Sequence, residues 1–369
     1  MIMIEVIRMK HALKLFFRIL AIVLGVILVL GIGLFAFLTI TEYRPEAVES
    51  IGVETASTPK AAFSGSTVRL LSWNVGYCAL GKDSDFFMDG GTSSRPGSEE
   101  TVRASMDGIR QTILSLEEAP DFILMQEVDS GSKRSFWQQQ VEYFRTIESY
   151  PASAYAYNYK CEYVPIPFPP LGKVQSGLLT LSVYAVTEAE RIALPCPFSW
   201  PVSTANLKRC LLVTRVPIEG SDKELVIVNL HLEAYDDGEG KIAQTNQLLE
   251  FLTDEYQKGN YVVAGGDWNQ LFPGTEAVYP NTHAELWTPG VLLEDQLPAG
   301  WSFVWDDATP TCRLLNQPYR PEDTANTQYY VIDGFLISPN LRVSEVQTLD
   351  QGFTWSDHNP VLLELELLD

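Results

Sequence analysis

Between Ile19 and Ile40 the chain runs for 22 residues without a charge. A helix rising about 1.5 Å per residue carries such a run across a hydrocarbon layer of roughly 30 Å. Exposed to water, the same surface would form an apolar patch that soluble proteins avoid. A cleavable secretory signal is the competing interpretation, but its apolar core ordinarily spans about 7 to 15 residues before a small-residue cleavage site. This run is longer and ends in FAFLTITEYRP, without an A-x-A pattern. The expectation is an uncleaved single-pass anchor over 19–40. Arg8, Lys10, Lys14 and Arg18 make 1–18 a short basic segment that should stay cytoplasmic, leaving the remainder extracytoplasmic.

Residues 1–40 hold those four basic side chains and one acid, a net +3, so the whole-chain −21 leaves −24 on residues 41–369. Affinity for a long nucleic-acid backbone draws heavily on basic side chains facing phosphates. The balance argues against a protein that tracks duplex DNA, although a metal and a local basic rim can still hold one phosphodiester. The five cysteines, at 78, 161, 196, 210 and 312, show no CxxC spacing, so a zinc or redox cluster is not expected. Disulfides and buried free thiols both remain open.

Residues 41–65 mix acids, Ser, Thr and Pro without an apolar period, which marks a linker or an edge segment. From 66 onward one domain is expected. VRLLSWNV after Thr67 reads as a strand, followed by a polar Gly-rich loop from Gly76 to Ser98. Helical spacing appears over 99–118, Lys133–Ile147 and 239–257. Strands are expected at DFILMQEV, 154–160, 177–184, 210–216, 225–232, 261–265, 330–338 and 361–367. YVPIPFPPLG is too proline-rich for an interior strand and reads as an extended loop. Many strands and few helices point to an α/β domain of two packed sheets with helices outside.

At five places an apolar strand ends in metal- or phosphate-binding residues: Asn74 in SWN, Glu127 in QE, His231 in NLHL, Asp267 and Asn269 in GGDWN, and Asp357 with His358 in SDHNP. A sixth polar group, Asp333, interrupts the apolar VIDGFLIS, where a lone carboxylate would need a partner. Each has an ordinary explanation as a strand end, an Asx turn or a core histidine. Their recurrence at strand ends is what turns the balance toward chemistry.

The ordered series WN, QEV, NLHL, GGDWN, IDGF and SDHNPV resembles the endonuclease/exonuclease/phosphatase family from about Val68 to the C-terminus. The resemblance implies a four-layer α/β/β/α sandwich of two packed mixed β-sheets and a Mg²⁺-dependent phosphoesterase, with Mn²⁺ as an alternative ion. By the same resemblance Glu127, Asn74 and Asp357 would serve the metal, and Asp267 would orient or deprotonate the attacking water. Asn269 would contact phosphate, His231 would serve as a phosphate ligand or general acid, and His358 would contact the scissile phosphate while oriented by Asp333. Tyr157 and Lys160 are candidate substrate contacts, and Glu162 a candidate acid beside His231. The segment LSVY at 181–184 lacks the arginine that many relatives carry there.

Phosphodiester hydrolysis needs an in-line water, neutralised non-bridging oxygens and a protected leaving oxygen. Carboxylates, amides and imidazoles divide those tasks, and oxygen donors favour Mg²⁺ or Mn²⁺ over zinc. The leading expectation is a membrane-anchored, outward-facing phosphodiesterase acting on a phospholipid headgroup or small phosphoester. Alternatives are an extracytoplasmic nuclease acting on nucleic acid, or a catalytically silent binding domain of the same fold. An inositol phosphate phosphatase would call for a strongly basic pocket, whereas Lys160, Lys173, Lys208 and Arg209 are scattered.

Overall fold

A computed structural model describes residues 2–368 except 96, 237 and 324. Each of two seven-stranded mixed sheets is organised around one parallel pair. In the first sheet the parallel pair is Glu224–His231 with Tyr261–Asp267. Cys210–Pro217, Glu188–Ala193 and Val48–Ser50 extend it on one side, and Asp333–Ile337 and Ser302–Val304 on the other, all antiparallel. In the second sheet the parallel pair is Thr67–Asn74 with Phe122–Asp129. It is flanked by Val361–Leu367 and Leu341–Thr348 on one side and by Gly172–Ser182, Ala152–Val164 and Val53–Thr55 on the other.

The two sheets pack face to face through branched and aromatic side chains, including Leu70, Phe122, Leu124, Ile227, Val263, Phe335 and Leu363. Alternate residues of the same strands point outward beneath helices, as the period of two along a strand requires. Val102, Met106, Ile109 and Ile113 of Glu99–Leu114 cover Trp73, Ile123 and Met125 of the second sheet. Leu248, Leu249 and Leu252 of Glu239–Gln257 cover Val226, Val228 and Val262 of the first. The result is the expected four-layer α/β/β/α order.

Three expectations need correction. The segment 41–65 is not a free linker: its two short strands close an edge of each sheet. The helix expected over Lys133–Ile147 shrinks to a turn at Lys133–Ser135 and a helix at Gln140–Arg145, because Phe136 and Trp137 between them adopt positive φ of 53° and 62°. The strand expected at 330–338 begins its ladder in this sheet at Asp333, after a separate two-residue strand at Tyr329–Tyr330.

The N-terminal helix spans Ile2–Ile40, so the basic segment and the apolar run form one helix without a break. Over Ile7–Ile40 it is long and apolar enough to cross a membrane, and its most apolar stretch is not covered by the rest of the chain. Among the described residues, its last turns are the part that meets the domain. Leu38 is buried, Phe35 lies 6.1 Å from the Trp200 ring, and the Trp200 indole donates to Thr39 Oγ1 at 3.0 Å.

Candidate active site

The parallel pairs place their C-terminal ends at one edge of the sandwich, and the functional side chains gather there. Asn74 and Glu127 close neighbouring strands of the second sheet; His231 and Asp267 are paired in register at the ends of neighbouring strands of the first. Asp333 is the antiparallel partner of Asp267. His358 precedes Val361–Leu367, which runs beside Thr67–Asn74, and the Trp73 indole donates to the His358 carbonyl at 2.9 Å.

Local chemistry explains each placement. At Glu127 the ladder with Gly172–Ser182 shifts register and φ reaches +56°, a bulge that turns this carboxylate out of the strand's alternation. The two glycines of GGDWN are needed because the backbone is crowded. A Cβ on Gly266 would lie 1.9 Å from the Leu230 carbonyl oxygen, and one on Gly265 2.4 Å from the Phe335 ring. Behind the site a buried amide pair joins the sheets. Gln126 Nε2 donates to Asn229 Oδ1 at 2.8 Å, and Asn229 Nδ2 donates to the Met125 and Leu179 carbonyls at 3.2 and 3.1 Å.

Asp267 is the hub. Its Oδ2 accepts from Asn74 Nδ2 at 2.9 Å and lies 3.4 Å from His231 Nε2 and 3.8 Å from His358 Nε2. Its Oδ1 accepts the Asn269 amide at 2.9 Å, while the Asn269 side chain donates to the Leu232 carbonyl at the same distance. Burial pushes the Asp267 carboxyl up to about 6 despite the opposing field of His358. A carboxylate so placed can take a proton near neutral pH.

His358 Nδ1 is 2.8 Å from Asp333 Oδ2, which fixes the ring and leaves Nε2 facing the site. Burial works against its charge, but Asp333, with Cys312, Asp357 and Asp267, overcomes it and holds the imidazole pKa well above its ordinary value. His231 is the opposite case. Burial, with Arg209 beside it, pushes its pKa well below the ordinary value, and its Nδ1 meets no partner among the described residues. The two buried histidines on either side of one carboxylate thus have their proton affinities pushed in opposite directions.

The donor set at the other flank fits a divalent ion. Asn74 Nδ2 reaches Glu127 Oε1 at 3.3 Å, and Asp357 is raised to about 7 by burial and by the Glu127 carboxylate, against the pull of His358. A buried carboxyl whose proton affinity is raised by burial and by a neighbouring carboxylate is a ready seat for a hard cation. Burial pushes the nearby Cys312 thiol up to about 12, and a hard cation prefers the oxygen donors beside it to this soft one.

A family model for the endonuclease/exonuclease/phosphatase family matches residues 71–358. The chain belongs to this family. Its members are metal-dependent phosphoesterases and nucleases. Among solved structures, a family member from Beutenbergia cavernae aligns with a TM-score of 0.54 at 18% identity, over 82% of this chain and 72% of that one. Another from Bacteroides vulgatus aligns with a TM-score of 0.50 at 15% identity, over 82% of this chain and all of the other. TDP2 from Danio rerio, complexed with a single-stranded DNA product, gives 0.49 at 15%, over 82% and 100%. No curated protein sequence matches.

The endonuclease/exonuclease/phosphatase motifs thus meet at one edge, whereas the weaker candidates do not. Tyr157 and Lys160 stack on one another, with the ammonium 4.8 Å from the ring centre, and neither lines the site cavity. Asn158, buried between them in sequence, lines it instead. Glu162 pairs with Lys173 at 3.0 Å and leaves His231 without it. All five cysteines are free, four of them buried and Cys196 exposed.

Several lining groups escaped the sequence analysis. Arg134 is held by Asp129 at 2.9 Å and lies 3.7 Å over the Tyr77 ring at the cavity wall. Asp89 accepts from the Tyr235 hydroxyl at 2.9 Å, and burial raises it to about 6. Asp89 gave no signal because its partner Tyr235 lies 146 positions away, whereas Asp129 is five residues before Arg134 and only the turn between them brings the two together.

Proposed function

We propose that the chain is a membrane-anchored, Mg²⁺-dependent phosphodiesterase whose domain over 66–369 faces outward and hydrolyses a lipid headgroup or small phosphoester by in-line attack of water. The observation that carries this is Asp267, buried with a pKa near neutrality and ringed by Asn74, His231 and His358. Glu127, Asp357 and Asn74 would hold the ion. When bound, a divalent ion supplies positive charge to a phosphate oxygen and lowers the pKa of coordinated water.

The chain's own residues divide the remaining work. Asp267 accepts the proton of the attacking water, aligned by hydrogen bonds from Asn74 and from the Asn269 amide. His358, kept protonated by Asp333, neutralises charge growing on the phosphate and can return a proton to the leaving oxygen. His231, kept neutral, donates to a non-bridging oxygen without a second full charge in the pocket. The basic residues at 8, 10, 14 and 18 support an N-terminus-inside orientation.

The test is turnover of a chromogenic phosphodiester by the full-length protein, with Mg²⁺ or Mn²⁺ and with chelator. Metal-dependent turnover that Asp267→Asn eliminates is expected. Turnover indifferent to both chelator and Asp267→Asn would overturn the assignment.

A further inference from the structure

The cavity over the catalytic floor is larger than a phosphate requires and changes character along its length. It has a volume of about 560 Å³, within the ordinary span of pockets that enclose an organic ligand. At its inner end stand Glu127, His231, Asp267, Asn269, Asp357 and His358. The rest of the wall is mainly carbon, interrupted by charged groups such as Asp89, Arg134 and Arg209, and its apolar part includes the last turns of the N-terminal helix, Phe35 and Leu38. Leu171 and Ile166 of the proline-rich loop and Phe198 and Val202 of a second loop complete it.

Those two loops also present apolar side chains outward. Phe168 is 96% exposed, Ile166 71%, Trp200 60% and Val202 57%. Isolated exposed apolar residues mean little, but these cluster on the loops that share a wall with the end of an anchor helix. The helix is fixed there by the Trp200–Thr39 hydrogen bond and by Lys208, which meets Glu42 at 3.0 Å just past the helix end. A helix end that only tethered the domain would have no reason to be docked or to contribute carbon to the site's wall.

We propose that the end of the anchor helix and the loops 164–171 and 198–202 form a gallery for one hydrocarbon chain of a phosphoester lipid. The lipid's tail would lie against Phe35 and Leu38 while its phosphodiester reaches Asp267. This rests on the phosphodiesterase reading of the same site and adds to it the tail of the substrate and a binding role for the anchor. The same wall carries aromatics and arginines that a nucleic-acid strand could use, Tyr77 and Arg134 among them, but the aliphatic Leu38, Ile166 and Leu171 offer a base no ring to stack on.

The experiment uses the full-length protein in phosphatidylcholine vesicles with Mg²⁺ and two chromogenic diesters, hexadecyl and butyl 4-nitrophenyl phosphate, which share the reacting group and differ only in tail. Ile166→Asp on the loop and Leu38→Asn on the helix are each compared with wild type for each diester, so that partitioning into the vesicle cancels. Hexadecyl turnover is expected to fall at least tenfold more than butyl turnover in both variants. Ile166 is largely exposed, so its variant does not depend on the core's tolerance. Equal losses on both diesters would overturn the gallery and leave the phosphodiesterase reading intact.

A second readout does not need turnover. A hexadecyl phosphodiester with a terminal diazirine is photolysed in the same vesicles, and the labelled peptides are mapped. Labelling within 35–38, 164–171 or 198–202 supports the gallery, and would do so even if neither diester were hydrolysed, in which case the catalytic reading alone falls. Labelling confined to the lipid-facing stretch before Phe35 would overturn the gallery.

Discussion

At the Asp267 end of the first sheet, Asp267 and Asp333 are buried beside one another with His358 between them, and neither pairs with an arginine or lysine among the described residues; at the opposite end the buried Glu255 is paired with the permanent cation Arg215. Arg215 binds Glu255 through two hydrogen bonds of 2.7 and 2.8 Å and reaches Glu224 at 3.3 Å, and the Glu255 carboxyl is held down at about 2 against its burial. In the second sheet Arg69, near the start of the strand that ends in Asn74, likewise gathers Glu364 and Glu118. The same strands therefore carry saturated charge at one end and unsaturated charge at the other. Saturated charge stabilises a fold; unsaturated charge leaves proton and ion affinity for a substrate to use.

The largest break should come from the hub. Asp267→Asn is expected to lower turnover by about 10³-fold or more while the circular dichroism and melting profile stay close to wild type; a loss under tenfold would remove it as the base. His358→Ala should cost on the order of 10² to 10⁴ in kcat/KM, since it deletes a positioned charge and a proton donor. A near-normal rate would make the Asp333–His358 pair structural.

At the other end the expected losses are in stability. Glu255→Gln strips a 1% exposed carboxylate from Arg215 and should cost about 3 kcal/mol in chemical denaturation at pH 7. Because the folded-state pKa lies below the ordinary 4.5, this contribution is full above pH 4.5 and fades as pH falls toward 2. Wild type and variant should therefore converge over that interval, and a constant gap would contradict the ion pair as its source.

The smallest effect has the opposite sign. Asp357→Asn relieves the repulsion with Glu127, so the metal-free variant should be more stable than wild type by about 1 kcal/mol. Wild type should gain roughly 2.7 kcal/mol when Mg²⁺ is present at a hundred times its Kd, and the variant much less at the same concentration. Melting with chelator and with Mg²⁺ measures both, and equal Mg²⁺ shifts would place the ion elsewhere.

How legible this was in the sequence depended on the range of the interaction. Strand ends such as SWN and GGDWN announced themselves because a polar group after an apolar run is a local pattern. In Glu239–Gln257 the apolar period shows only in Leu248, Leu249 and Leu252, while the first half buries Lys241, Gln244 and Thr245 and leaves Ile242 exposed. The break at Phe136 and Trp137 did not show, since neither residue type signals positive φ. Asn229 was visible as a polar interruption of VIVNLHL, yet its partner Gln126 lies 103 positions away, and only the fold pairs them. The docking of Leu38 and Trp200 was hidden for the same reason: their spacing in sequence, 161 residues from Thr39 to Trp200, carries no period.

The Gln126–Asn229 pair has a mechanical consequence. Glu127 and Asn74 belong to one sheet and Asp267 and His231 to the other, so the candidate site straddles a seam that is otherwise greasy and able to slide. Apolar surfaces resist separation far better than shear, because sliding exchanges one carbon neighbour for another. Directional hydrogen bonds across that seam, one residue from Glu127 and two from His231, act as a key in a shaft: they fix the alignment of the halves where misalignment would be felt first.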